Sequence, residues 1–457
     1  MASKTYVLDT NVLIQAPHAL LSFEDNAIVL PVAVMEELDR IKNDDGERGM
    51  NARHVVRMLD KLRTEGSLTD GVKLPNGGNL RIELNCSNIE LPARWPTTSA
   101  DNRILQVCKG LQERGIRAIL VSRDIIARIK ADILSIPAED FLTDQAPAPD
   151  QQYRGRIEVF AADDKLNHFK KKGILPEHVY TIGNEGQTLP VEPVHNQFFI
   201  IKSDISTNKS LLGRFNDEFI VPLTSLDKKP FGVKPRSAGQ RFLQESLMAS
   251  ANEAPLVIVK GTAGTAKTFY SLAVGLQGIL EEKEPVYRRI LVSRPNVQFD
   301  EEIGFLPGSE QEKIAPLMRP IIDNLEILID HDDKERYRNE AELRGKIDEL
   351  FDRGVIVAEA MNFIRGRSIT QTYLIIDEAQ NLTPRQVKGI ITRVGKGTKV
   401  ILLGDPEQID HPLLDSRTNG LSYAAEKMKG SPLCWQITME TDECERSELA
   451  WDASQRM

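Results

Sequence analysis

Residues 256–276 read LVIVKGTAGTAKTFYSLAVGL: an apolar run, a glycine-bearing octet and a helical pattern with nothing between them. That junction demands a strand, a tight loop and a helix in immediate succession, so that loop N–H groups and a helix N-terminus surround an anion. The octet follows the phosphate-loop pattern G-x-x-x-x-G-K-[ST] at Gly261, Lys267 and Thr268, but Ala266 stands where the second glycine belongs. In this reading Gly261, Thr262, Ala263, Gly264, Thr265 and Ala266 cradle the phosphates of ATP with their backbone. Lys267 reaches the β- and γ-phosphates, and Thr268 ligates Mg²⁺. The residue before the lysine begins the helix, so Ala266 is expected at negative φ, free of the strain of a left-handed alanine. Its methyl group would crowd the phosphate or the packed strand, and ATP binding is expected to persist with some loss of affinity or rate.

Four more apolar runs, RILVSR, VIVAEA, TYLIID and KVILLGD, read as strands of a parallel sheet buried on both faces. TYLIID ends in Asp377 and Glu378, the Walker B arrangement, with Asp377 holding Mg²⁺ through water and Glu378 polarising the attacking water. KVILLGD ends in Asp405, and Gln408 three residues on is suited to sensing the γ-phosphate. Each acid alone is an ordinary strand-end turn residue; three strand tips of complementary phosphate chemistry in this order are not.

The first segment also alternates strands (TYVLD, AIVLP, AILVSRD) with helical patterns, which argues a second parallel sheet. Four acids fall at strand ends or helix starts: Asp9, Glu37, Asp101 and Asp124. Ligands of an open parallel sheet gather outside the carboxyl ends of its strands, so these four can meet in one crevice. Carboxylates that close repel unless a cation neutralises them, and oxygen donors suit Mg²⁺ or Mn²⁺. A pair of such ions roughly 4 Å apart activates water against a phosphodiester. As plain structure, Asp101 is an N-cap, Glu37 a solvent-facing helix residue, and Asp9 and Asp124 turn formers; the residues alone leave both readings open. Between the two segments lie TDQAPAPDQQ at 143–152, read as a linker, and short β-type runs read as a small, mostly β module. The run 330–350 reads as one solvated, charge-paired helix, and KNDDGERGMNAR, with Asp44, Asp45, Arg48 and Arg53, as a hydrophilic or substrate-facing loop.

At 457 residues the chain exceeds a single core, and two or three domains are expected. No apolar run reaches the roughly 20 residues that span a bilayer. Asp9 and Asn11 would interrupt a signal peptide, and the four scattered cysteines form no C-x-x-C pair, so a cytoplasmic, reducing location is expected. The net charge of −9 gives no sign of nucleic acid, although only the contacting groove needs to be positive.

GTAGTAKT, SRPNVQFDEEIGFLPG, RGRS, LIIDEAQNLTPRQVKGIITRVGKGTKVILLGDPEQID and NGL together resemble the PhoH-like ATPase family, related to superfamily 1 helicases through a RecA-like core. The resemblance implies an adenine-contacting Gln240, RNA- or phosphate-contacting Arg294, Arg365, Arg367 and Arg393, and Arg446 approaching the γ-phosphate, on a tail that departs from the usual family ending. VLDTNVLI, PVAVMEELDRIK, SADNRIL and ILVSRD resemble the acidic motifs of PIN-domain ribonucleases. There Asp9, Glu37, Asp101 and Asp124 match the metal-binding, catalytic positions, with Glu36 the alternative to Glu37 and Asn11 or Ser122 orienting a water. The implied α/β architecture is a PIN-like domain at 1–145, a linker at 146–154, a small β-rich module at 155–228 and a RecA-like ATPase at 229–457. The implied activity is ATP-dependent movement or unwinding of RNA coupled to Mg²⁺- or Mn²⁺-dependent cleavage, with single-stranded RNA as substrate. Only one RecA-like unit is present per chain, so a ring-like homo-oligomer, of which a hexamer is one form, must supply the second face of the ATP site. The alternatives are an ATP-regulated RNA-binding regulator inert at one or both sites, and the same activities on DNA.

Overall fold

The computed structural model describes residues 4–444 except 24, 45, 76, 85, 93–94, 97, 142–145, 184, 206–209, 296–309, 331–339, 365–367 and 412–413. The chain divides between residues 143 and 144 into two compact units. The architecture is α/β, with a parallel sheet in each unit.

The first unit holds β1 (Thr5–Leu8), β2 (Ala27–Pro31), β3 (Val72–Lys73), β4 (Asn79–Glu83), β5 (Ala118–Val121) and β6 (Ala138–Glu139), ordered β3-β4-β2-β1-β5-β6. All neighbours are parallel except β3 and β4. β1 and β5 are buried at every position, as their unbroken apolar sequence requires. Helices α1 (Thr10–Gln15), α2 (Val32–Ile41), α3 (Gly46–Glu65), α4 (Ala100–Glu113) and α5 (Ile125–Ile133) connect the strands. The chain leaves β1 toward β2 and later returns across it to β5, so the sheet order reverses at β1, where a crevice opens at the strands' carboxyl ends. The expected loop after Lys42 is instead largely α3. Arg53 Nη1 donates to the carbonyls of Lys42 and Asp44 at 2.7 and 3.2 Å, tying the chain's entry into that helix.

The second unit contains two sheets. The mixed one comprises β7 (Arg156–Ala161), β8 (Tyr180–Ile182), β9 (Thr188–Pro190), β10 (Phe198–Ser203), β11 (Ser210–Phe215) and β12 (Ile220–Pro222), ordered β12-β11-β10-β7-β8-β9, with α6 (Asp163–Lys172). Phe169 of α6 and Val159, Phe199, Ile201 and Ile220 of the sheet form its core. The other, wholly parallel, comprises β13 (Leu256–Lys260), β14 (Arg289–Ser293), β15 (Ile356–Ala358), β16 (Thr372–Ile376), β17 (Lys399–Gly404) and β18 (Cys434–Thr438), ordered β15-β14-β16-β17-β13-β18. Helix α7 (Ala238–Met248) precedes β13 and α8 (Lys267–Leu276) follows it.

The two sheets belong to one unit because the segment expected as a linker is bonded to the parallel sheet. Thr438 N of the edge strand donates to Arg154 O at 2.8 Å, Tyr153 N donates to Glu426 Oε1 at 2.6 Å, and Ala146 N to Arg417 O at 2.7 Å. Arg156 of β7 pairs with Glu443 at 2.7 Å, and Phe198 of β10 packs on Phe242 and Trp435. Of the charged run 330–350, residues 331–339 lie outside the described residues; Asp330 belongs to a helix spanning Glu310–Asp330, and Glu340–Asp352 is helical.

Candidate functional site

Asp9 follows β1 and caps α1, its Oδ1 accepting from Thr10 N at 2.6 Å. Its other oxygen accepts from Ser122 Oγ at 2.6 Å and Asn11 Nδ2 at 2.8 Å, linking the tips of β1 and β5. The carboxyl is 4% exposed. Burial pushes its pKa up to about 6, and the nearby charges of Asp101 and Glu37 act in the same direction against the Ser122 bond. Asp101 lies in the first turn of α4, and Glu37 on α2 accepts from Thr10 Oγ1. Glu36 is engaged elsewhere, paired with Arg103 at 2.5 and 2.8 Å, so Glu37 is the one that faces Asp9. Asp124 caps α5 through Ile126 N at 2.7 Å and reaches the cluster only by way of Ser122, whose Oγ accepts from Asp124 N at 3.0 Å.

Asp9, Asp101 and Glu37 therefore sit in one electrostatic neighbourhood, with Asp124 at its rim. Among the described residues no three such groups are gathered closely enough to hold a metal ion as they stand. The donor set is nonetheless all oxygen around a buried, destabilised carboxylate, which suits a hard divalent cation.

In the second unit four adjacent strand tips converge. The loop after β13 leads into α8 with Lys267 Nζ donating to Gly261 O at 2.6 Å, Thr262 O at 2.8 Å and Thr265 Oγ1 at 3.3 Å. Burial lowers the Lys267 pKa, while Asp405, Asp377 and Glu378 counter it. Thr268 Oγ1 donates to Asp377 Oδ1 at 3.1 Å across the crevice. Asp377 is buried, which raises its pKa against the opposing charge of Arg294. Arg294, at the tip of β14, meets Asp377 at 3.4 Å and Glu378 at 2.9 Å. Asp405 ends β17 and its Oδ2 accepts from Ala263 N at 3.2 Å, fastening the loop to the neighbouring strand. Gly261 approaches Met439 so closely that a Cβ would stand 2.6 Å from that side chain.

Two non-glycine residues of this crevice are left-handed. Ala266 has φ 63° and ψ 23°, which corrects the expected negative φ: it is the N-cap of α8, outside the helix, and its carbonyl accepts from Tyr270 N at 3.0 Å. The glycine of the pattern serves that turn, and alanine adopts it at a cost of about 1 kcal/mol. Glu378 is also left-handed, at φ 55° and ψ 37°.

Residues 6–142 match the family described as "PIN domain", and residues 232–456 match "PhoH-like protein". The Bacillus subtilis protein named "Protein PhoH2" is 40% identical over 98% of both chains. The chain belongs to the PhoH2 family. Proteins of the same name from Thermobispora bispora and Mycolicibacterium smegmatis are 33% and 32% identical, each covering 98% of this chain and 95% of their own.

The remaining expected site residues fall differently. Gln240 is fully buried, its Oε1 accepting from Arg236 N at 2.7 Å and Tyr270 OH at 3.4 Å. Gln408 is exposed, and it is its carbonyl that the site uses. Arg365, Arg367 and Arg446 lie outside the described residues. Arg294, expected to contact RNA or phosphate, stands in the acid cluster. The residue that sequence reading missed is Gln380, two positions after Glu378 and fully buried. Its Nε2 donates to Glu378 Oε2 at 2.6 Å and Gln408 O at 2.8 Å, and its Oε1 accepts from Asp405 N at 3.1 Å. It thus ties the tips of β16 and β17, and Gly404 makes room for it, since a Cβ there would collide with Gln380 Oε1. The signal was the invisible one of an amide among acids, in DEAQN.

Proposed function

We propose that this protein hydrolyses ATP in its second unit to move or unwind RNA, and that its first unit cuts the RNA with divalent cations. The observation that carries this reading is the pair of acid-bearing crevices at the carboxyl ends of two parallel sheets, only one of which also holds a lysine and an arginine among its acids. The membership of both halves in PIN and PhoH-like families supports it.

In the ATP crevice, Lys267 exchanges loop carbonyls for β- and γ-phosphate oxygens, and Thr268 with Asp377 would hold Mg²⁺. Glu378, held by Arg294 and Gln380, orients the attacking water. With one RecA-like sheet per chain, a neighbouring subunit in a ring supplies the facing surface. In the other crevice Asp9, Asp101 and Glu37 would hold the metal, with Ser122 and Asn11 fixing the Asp9 carboxylate and Asp124 at the rim. When bound, such an ion supplies an activated water and neutralises charge developing on the phosphodiester. Unpaired RNA is the substrate because that chemistry needs an accessible backbone, and a cytoplasmic setting follows from the same reading.

The test is to incubate labelled single- and double-stranded RNA and DNA with the protein, with and without ATP and Mn²⁺. Asp9→Asn with Asp101→Asn should abolish metal-dependent cutting of single-stranded RNA and spare ATP turnover. Cutting that persists in that double variant removes the nuclease assignment, and preference for DNA removes the RNA one. A strictly monomeric protein with full ATP turnover, seen by light scattering, removes the ring.

A further inference from the structure

At the opposite end of the parallel sheet from the ATP crevice, the amino ends of β14 and β16 border a cavity of about 290 Å³. Arg288, Arg289, Ser368, Ile369, Thr370 and Thr372 line it. Among the described residues neither arginine forms a side-chain ion pair, although the chain as a whole carries a net charge of −9. Two consecutive guanidiniums without ion-pair partners among the described residues stand beside the Ser368 and Thr370 hydroxyls, while Thr372 Oγ1 donates to Thr370 O at 2.9 Å, and no carboxylate lines the cavity.

The backbone holds this rim together. Arg288 N donates to Gln371 O at 2.8 Å, Gln371 N to Lys396 O at 3.1 Å, Ile369 N to Arg393 O at 3.3 Å and Gly395 N back to Ile369 O at 2.7 Å. Three separate segments, 288–289, 368–372 and 393–396, are thereby fixed side by side, and the last of them brings two further cations, Arg393 and Lys396. Gln371 is held left-handed at φ 49° to make the join. The result is a fixed concentration of positive charge and hydroxyls, at the sheet end remote from Lys267.

The geometry points to a second phosphate-recognition site here, formed by Arg288 and Arg289 with Ser368 and Thr370, which holds the backbone of a single-stranded nucleic acid as it passes the ATPase unit. The site rests on the proposed RNA function for the identity of its ligand. Guanidiniums present paired donors to phosphate oxygens, and the hydroxyls complete the contact without reading bases. Its distance along the sheet from the phosphate loop separates strand holding from ATP chemistry, so removal of the arginines leaves basal turnover intact.

The experiment measures binding of a fluorescein-labelled 20-nucleotide oligouridylate to the full chain by anisotropy, in chelator to prevent cutting, across a salt series. For Arg288→Gln/Arg289→Gln the expected result is about tenfold weaker binding, with the salt slope reduced by about 1.4, roughly 0.7 per lost phosphate contact on a single strand. Arg288→Lys/Arg289→Lys should keep most of the slope, and Ser368→Asp, which leaves both arginines in place, should weaken binding in the same direction. ATP turnover without RNA should be unchanged in all three. An unchanged affinity and slope in the double glutamine variant overturns the site while leaving the RNA reading standing. Failure of the unmodified protein to bind the oligonucleotide overturns both. Binding of labelled polyphosphate but not RNA, lost in the same variant, overturns the nucleic-acid ligand.

Discussion

The two crevices share a fold rule and differ in charge balance. Each lies at the carboxyl ends of parallel strands, and each gathers carboxylates there. In the second unit each acid of the crevice has a partner: Asp377 meets Thr268 and Arg294, Glu378 meets Arg294 and Gln380, and Asp405 meets the loop amide of Ala263. In the first unit Asp9 has only neutral donors among the described residues, while its charged neighbours Asp101 and Glu37 repel it. A crevice whose buried acids face a lysine and an arginine is set to receive a polyanion; one whose buried acid has neutral donors and like charges beside it is set to receive a cation. On the proposed reading the same architecture serves two chemistries, decided by where the lysines and arginines stand.

That contrast can be broken most forcefully at Lys267. Lys267→Ala should lower ATP turnover by about a thousandfold, as loss of a preorganised charge in a closed site does, while cutting of already unpaired RNA continues. An equal fall in both activities would mean the crevices are not separable. In the other direction, Asp9→Asn should lower Mn²⁺-dependent cutting by about a hundredfold and leave ATP turnover as it was.

The charge imbalance around Asp9 has a stability effect of the opposite sign to the loss of activity. The Asp9 pKa stands at about 6 in the folded chain against an ordinary 3.8, so the folded state favours the protonated acid. Its contribution is most favourable below pH 4 and is lost as pH rises through 6. In chelator, urea unfolding of Asp9→Asn should therefore show a gain of about 3 kcal/mol at pH 7 and almost none at pH 4. Added Mn²⁺ should stabilise the unmodified protein and leave the variant unmoved.

A smaller effect tests the wiring of the ATP crevice. Gln380→Ala removes three hydrogen bonds between the strand tips and should slow turnover by about tenfold with a lesser change in ATP affinity. Turnover that stays normal would mean that Arg294 alone suffices to hold Glu378. Smallest of all, Ala266→Gly should stabilise the chain by about 1 kcal/mol by relieving the left-handed alanine, seen as a rise in melting temperature. No rise would mean the turn's own bonds already offset the strain.

How much of this was legible in the sequence follows from range. The unbroken apolar runs TYVLD, LVIVKG, TYLIID and KVILLGD announced buried parallel strands, and GTAGTAKT announced the loop, because strand burial and loop chemistry are set by consecutive residues. The acids at their ends were legible for the same reason. Ala266 was misread because its conformation is fixed by the turn into α8 and not by its place in a pattern. The linker was misread too: a Pro-, Ala- and Gln-rich stretch looks free until Glu426, Arg417 and Thr438, nearly three hundred residues away, bond to its backbone.

By itself, then, the sequence determined most of the elements, their order and the acids and phosphate loop that mark two candidate sites, since these rest on local periodicity and short motifs. Only the tertiary structure decided that Glu37 and not Glu36 faces Asp9, that Gln380 bridges Glu378 to Asp405, and that Arg294 stands among the acids. It alone brought the cations of 288–289 and 393–396 to one rim. Those are facts of strand order and side-chain direction, fixed when the sheet assembles and its helices pack, and no stretch of chain carries them alone.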